Sequence, residues 1–152
     1  GMDNSEKNEL NNPLVFLDKL IEGEGRIPID VFIGGVSALT SAKKKLEDYL
    51  VSGVKCCLTS HDLTLYLSQC ELSMPFSSLI DRCMALLIDR QVEALVIVVQ
   101  TDECFYFTLP VDKITSLTKT EEVLISWKTK DTISTDRINK KVKKLFENIV
   151  KP

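Results

Sequence analysis

The sequence predicts a single α/β domain with a mixed sheet of about five strands: a parallel N-terminal part, an antiparallel C-terminal edge, and helices on both faces. Three observations predict it. Strand-like and helix-like apolar periods alternate along most of the chain, as they do in βαβ units. The run "ALVIVVQ" at 94–100 has no polar alternation, as a central strand covered on both faces requires. The loop at 101–103 is too short for a parallel crossover, so the strands after it are expected to pair antiparallel.

Residues 1–12 are polar and aperiodic and are expected to be frayed, leaving 13–152 as the domain. Pro13 opens a short helix with Leu14, Leu17 and Ile21 on one face, stopped by Gly23 and Gly25. Ile27, Ile29, Val31 and Ile33 alternate, which predicts a strand ending at Gly34-Gly35. Ala42, Leu46, Tyr49 and Leu50 then fall at helical spacing, with Thr40 or Ser41 to cap and Gly53 just past the end.

"VKCCL" at 54–58 is β-inclined, and Leu63, Tyr66, Leu67 and Cys70 return to helical spacing. Ser73 and Pro75 introduce a further helix, in which Phe76, Leu79, Ile80, Cys83, Met84 and Leu87 form a broad apolar stripe. After the strand at 94–100, "CFYFTLP" and "EEVLISWKT" read as strands. The last helix buries Ile138, Val142, Leu145, Phe146, Ile149 and Val150 and turns Lys140, Lys141, Lys143 and Lys144 toward water.

Composition bounds the function. A chain of 152 residues with 44% apolar and 27% charged residues buries a core of its own. The net charge of −3 gives no footprint for nucleic acid. From residue 119 onward nine basic residues face five acidic ones, net +4, against net −7 for the remainder. The lysine face at 140–144 is therefore a candidate surface for an anion or partner. The polar, acidic start lacks the basic and apolar regions of an export signal, and the five cysteines are an odd number. A cytoplasmic setting with free thiols is expected. Even the apolar run Ala94 to Val99 is far short of the ~20 residues of a membrane helix.

The stretch "GVKCCLTSHDL" at 53–63 holds two cysteines and the only histidine. Adjacent cysteines on a strand point to opposite faces, so Cys56 and Cys57 do not share a tetrahedral ion, and no C-x2-C spacing exists. No metal site is expected. "TSHD" reads as the cap of the following helix. Candidate ligand residues instead come from topology. If the strands at 27–33, 54–58 and 94–100 are parallel, their carboxyl ends bring together Gly34, Gly35 and Ser37, then Ser60, His61 and Asp62, then Thr101 and Asp102. Glu103, next to Asp102, reads as an ordinary turn residue.

From Ile29 to Leu63 the chain resembles the opening β-α-β of TIR and TIR-like nucleotide-hydrolase domains, in "DVFIGG", an amphipathic helix and a second strand. The resemblance implies an NAD-handling enzyme with a glutamate further on, in a serine- and tryptophan-bearing context. "QTDECFYFTLP" departs from that pattern, so no residue takes the catalytic role. "LISWKTK" at 124–130 resembles the strand of PD-(D/E)xK nucleases, but Ser126 stands where the acid belongs. With no complete catalytic constellation, the first expectation is a non-catalytic binding or regulatory module for a protein partner. The alternative is a nucleotide- or phosphate-handling enzyme, a TIR-like nucleotide hydrolase, that holds a small anionic ligand on the three loops at the carboxyl ends of the parallel strands. No cofactor can be named from these residues.

Overall fold

The computed structural model describes residues 27–120, 124–133 and 136–150. The expected frayed start and first helix lie outside the described residues, as do the side chains of Ile138, Val142 and Lys143. Strand β1 is Ile29–Ile33 and is buried at every position. Helix α1 follows at Val36–Val51 and presents Ala38, Ala42 and Leu46 to the core. It begins earlier than the Thr40 or Ser41 cap expected, directly after Gly35; the Thr40 hydroxyl instead donates back to the Val36 carbonyl (3.0 Å). Gly53, at φ +83°, ends the helix in the left-handed conformation that only glycine adopts without strain.

Strand β2 (Cys56–Thr59) runs into β3 (Thr64–Leu65) through a tight turn, so "TSHD" is a hairpin and not a helix cap. The helical spacing of Leu63, Tyr66, Leu67 and Cys70 is coincidental. Leu65 is buried within the sheet, and Leu67 stands at φ +53°, outside any right-handed helix. Helix α2 (Leu79–Leu87) is capped by Ser78, whose Oγ accepts from the Asp81 N–H, rather than by Ser73. Strand β4 is Ala94–Val99, with each of its six residues fully buried.

A 3-10 turn at Glu103–Phe105 follows. "CFYFTLP" is therefore not a strand, because Glu103 is drawn inward and the chain coils away from the sheet. Strand β5 is Ser116–Lys119, the two-residue strands β6 (Leu124–Ile125) and β7 (Thr132–Ile133) form a separate hairpin, and α3 is Asp136–Glu147.

The five-stranded sheet has the order β3-β2-β4-β1-β5. The predicted α/β class with a mixed, mostly parallel sheet is the one observed. Its antiparallel edge, however, is β3, while β5 lies parallel to β1 at the other edge. The strands at 29–33, 56–59 and 94–99 are parallel, with β4 between β2 and β1. The chain steps one way across β4 to reach β2, then returns. Right-handed crossovers then require helices on opposite faces. Accordingly α1 packs on Phe32, Cys56, Leu58, Val96 and Val98, and α2 on Ile33, Cys57, Leu95, Ile97 and Val99. Cys56 and Cys57 thus lie in opposite halves of the core.

One carboxylate is buried within the sheet. Asp30, 1% exposed, accepts from the Tyr49 hydroxyl (2.6 Å) and from the Ser116 hydroxyl, which ties the end of α1 and strand β5 to β1. Burial and this bond push the Tyr49 hydroxyl pKa well up.

Candidate ligand cleft at the carboxyl edge of the sheet

Because β1, β2 and β4 are parallel, the loops after them share one edge. The loops after β1 and β4 touch directly: the Gly34 N–H donates to the Val99 carbonyl (3.1 Å) and Gln100 Nε2 to the Gly35 carbonyl (3.2 Å). After β2 the chain reverses around Ser60. Its N–H donates to the Leu63 carbonyl (2.8 Å), and its Oγ accepts the Leu63 N–H (3.0 Å) while donating to Asp62 Oδ1 (2.9 Å). Ser60 is occupied in closing this turn. His61 is at the corner.

His61 and Asp62 line a cleft of about 520 Å³. Met74, Pro75, Phe76 and Ser77, the segment leading into α2, contribute one wall together with Arg82 from the helix itself. Ile125 and Lys130, from the β6–β7 hairpin, contribute the other. The volume falls in the ordinary range for small-ligand sites.

Arg82 is 7% exposed. Its Nε donates to the Phe76 carbonyl (2.8 Å) and its Nη1 to Thr64 Oγ1 (2.8 Å), which in turn pairs with Thr59 Oγ1 (2.9 Å). These bonds fix the guanidinium plane. Among the described residues no carboxylate forms an ion pair with it. A buried guanidinium is costly unless it is paired or hydrogen-bonded.

Lys130 arrives by an unusual backbone. It stands at φ +65° in the hairpin loop, where its N–H donates to the Ser126 carbonyl (2.7 Å) and Ser126 N–H to the Asp131 carbonyl (2.6 Å). Glycine or asparagine is the usual occupant of such a position.

The His61 side chain is 13% exposed, and its buried Nδ1 has no hydrogen-bond partner among the described residues. Its Nε2 lies 3.7 Å from Asp62 Oδ2. Burial lowers the imidazole pKa; Asp62 and Glu103 pull it up, Lys130 and Arg82 pull it down, and the net direction is downward. The ring is therefore neutral near pH 7.

No protein-family model matches the chain, and no curated protein matches it. The cleft's chemistry is read from its own residues.

Of the residues expected from sequence, His61 and Asp62 line the cleft, and Ser60 supports them from the turn. Gly34, Gly35 and Ser37 lie on the same sheet edge, where they begin α1, and are not among the lining residues. Thr101 and Asp102 are buried beside the cleft: Thr101 Oγ1 accepts the Glu103 N–H (3.3 Å), and Asp102 Oδ1 accepts the Trp127 N–H (2.9 Å). Lys140, Lys141 and Lys144 are exposed on α3.

Sequence reasoning missed Arg82 and Lys130. Arg82 did leave a signal, a charge within the apolar stripe of "LIDRCMALL", where a charged residue is almost never buried without a reason. Lys130 left none, since nothing in "WKTKD" announces a left-handed backbone. The cysteines near the cleft are packing residues. Burial pushes the Cys57 thiol up to about 11 and the Cys56 thiol up to about 12, far from a nucleophile's range.

Proposed function

We propose that the protein is a non-catalytic binding module that holds a small phosphate-class anion in the cleft between His61, Arg82 and Lys130. The observation that carries this reading is Arg82, a guanidinium 7% exposed, hydrogen-bonded only to neutral oxygens among the described residues, and set in the wall of a cleft that Lys130 also lines. Fixed guanidinium groups favour planar, multidentate oxyanions. His61, neutral, adds a ring that can gain a proton when negative charge arrives. The small anion fits better than a protein partner because these charges line a concavity and are not spread over an open face. Binding without turnover is favoured because the neighbouring carboxylates, Asp102 and Glu103, are engaged by backbone N–H groups.

The test is calorimetric titration with inorganic pyrophosphate at fixed ionic strength, on the wild type, Lys130→Gly and Lys144→Ala. Saturable binding is expected for the wild type and Lys144→Ala, with a loss of about tenfold or more in Lys130→Gly. Ligand at 100 times its dissociation constant adds about 2.7 kcal/mol, which raises Tm by roughly 5 to 10 °C in a domain of this size. No saturable heat, or a loss confined to Lys144→Ala, would overturn the reading.

A further inference from the structure

Beside the cleft stands a group of rings that its anion-binding chemistry does not use. Tyr106 and Phe107 are 45% and 44% exposed, high for side chains this large and apolar. Both pack on Trp127, with ring centroids 6.1 Å away for Tyr106 and 5.0 Å, edge to face, for Phe107. Two ammonium groups accompany them: Lys128 Nζ lies 4.3 Å from the Tyr106 centroid and Lys130 Nζ 5.7 Å from that of Trp127.

We infer that the ligand carries a planar nitrogen heterocycle joined to its phosphate, as a mononucleotide does, and that the heterocycle stacks on the Trp127 cluster while the phosphate sits by Arg82 and Lys130. This inference rests on the cleft reading above and extends it to the ligand's second half.

Lys130 links the two parts. The same side chain lines the cleft and reaches the Trp127 ring, so an anion beside its ammonium brings any attached group to the aromatic edge within a few ångströms. The ring cluster is also held in register with the cleft by its walls. The Tyr106 and Phe107 N–H groups both donate to the Glu103 carbonyl (2.9 and 3.0 Å), and the Trp127 N–H donates to Asp102. Exposed Tyr106 and Phe107 rings beside a half-buried Trp127, with interleaved lysines, are the chemistry that nucleobases stack on, with each ring contributing a large contact area of low entropy. A purely inorganic anion leaves these rings without a role.

The experiment compares ribose 5-phosphate with adenosine 5′-monophosphate by calorimetry. Trp127 is the only tryptophan in the chain, so its fluorescence reports the stacking directly. Adenosine monophosphate is expected to bind about tenfold or more tighter and to quench Trp127, whereas ribose phosphate leaves the emission unchanged. Trp127→Leu keeps the backbone N–H to Asp102. It should reduce adenosine monophosphate to the affinity of ribose phosphate without changing the latter, and Trp127→Tyr should restore most of the preference. Equal affinities for the two ligands in the wild type overturn this inference and leave the anion cleft standing. Binding of neither overturns both.

Discussion

Asp102 and Glu103 are adjacent in sequence and hold opposite walls of the cleft. Glu103 is fully buried and accepts the Leu79 N–H (2.7 Å) and the Ile80 N–H (3.2 Å), so its carboxylate sits on the N-terminus of α2, the helix that carries Arg82. Asp102 accepts the Trp127 N–H (2.9 Å) and holds the hairpin loop that carries Lys130. The gap between the two cations is therefore set by one dipeptide at the end of β4.

Removing the first of these carboxylates should loosen the α2 wall. Two charge-assisted bonds to free helix N–H groups are at stake, together with a favourable interaction with the helix dipole. Glu103→Ala is expected to lower stability by about 3 kcal/mol and Glu103→Gln by about 1 to 2 kcal/mol, as read from urea unfolding midpoints. Equal stability of all three proteins would show that the bonds carry no net weight.

Lys130→Gly should separate stability from binding. Glycine relieves a left-handed strain of about 1 kcal/mol but adds a similar amount of unfolded-state entropy, so the fold should stay within about 0.5 kcal/mol of wild type. Lys130→Val should cost about 1 to 2 kcal/mol, because a β-branched side chain fits the φ of +65° poorly. Chemical denaturation of the two variants checks the order.

Thr64 supports Arg82 from within the sheet. Thr64→Val keeps the shape but leaves Arg82 Nη1 and the Thr59 hydroxyl without their shared oxygen. A loss of about 2 kcal/mol in stability is expected, with weaker pyrophosphate binding measured in the same preparation.

The pH dependence follows from the direction of the His61 shift. Its folded pKa lies below the unfolded value near 6.5, so the unfolded chain binds the extra proton first. The neutral ring's contribution is fully present above pH 6.5 and is lost as the pH falls below that value toward the folded pKa. The wild type should lose stability between pH 7.5 and 5.5 relative to His61→Gln. Saturating pyrophosphate should shrink the difference, because negative charge beside Arg82 and Lys130 raises the His61 pKa. Parallel curves for the two proteins would exclude His61 as the titrating group.

Thiol labelling tests the packing of the cysteines. Cys70 is exposed, Cys56, Cys57 and Cys83 are buried, and the half-buried Cys104 thiol is pushed up to about 12. One fast-reacting thiol is expected in the native state, with the others released on unfolding. Mass mapping should find the early label on Cys70.

Much of the sheet was legible because its signal is local. Ile29–Ile33, Cys56–Thr59 and Ala94–Val99 are short apolar runs bounded by turn residues, and all three became parallel strands. β5 escaped because "SLTK" is polar and only half-buried, as suits an edge, while the β-inclined "CFYF" was the more conspicuous run. The aromatic run lost to a tertiary bond: Glu103 turns inward to cap α2, and propensity yields to that burial. His61 and Asp62 could be expected at the site because they follow a parallel strand. Its cations come from a helix stripe and a left-handed loop residue, and those positions depend on contacts far apart in sequence.

The position of β4 has a consequence for how the chain comes to be folded at all. β1 and β2 are not hydrogen-bonded neighbours, and each pairs with β4, which lies between them and emerges later. During synthesis at about 5 to 20 residues per second, roughly forty residues separate the end of β2 from the end of β4, so the two earlier strands wait for seconds with open backbone edges. In that interval the nascent chain presents apolar strands with nothing to zip between them. Its yield in cells should depend on whatever shields those edges from one another until the keystone strand leaves the ribosome.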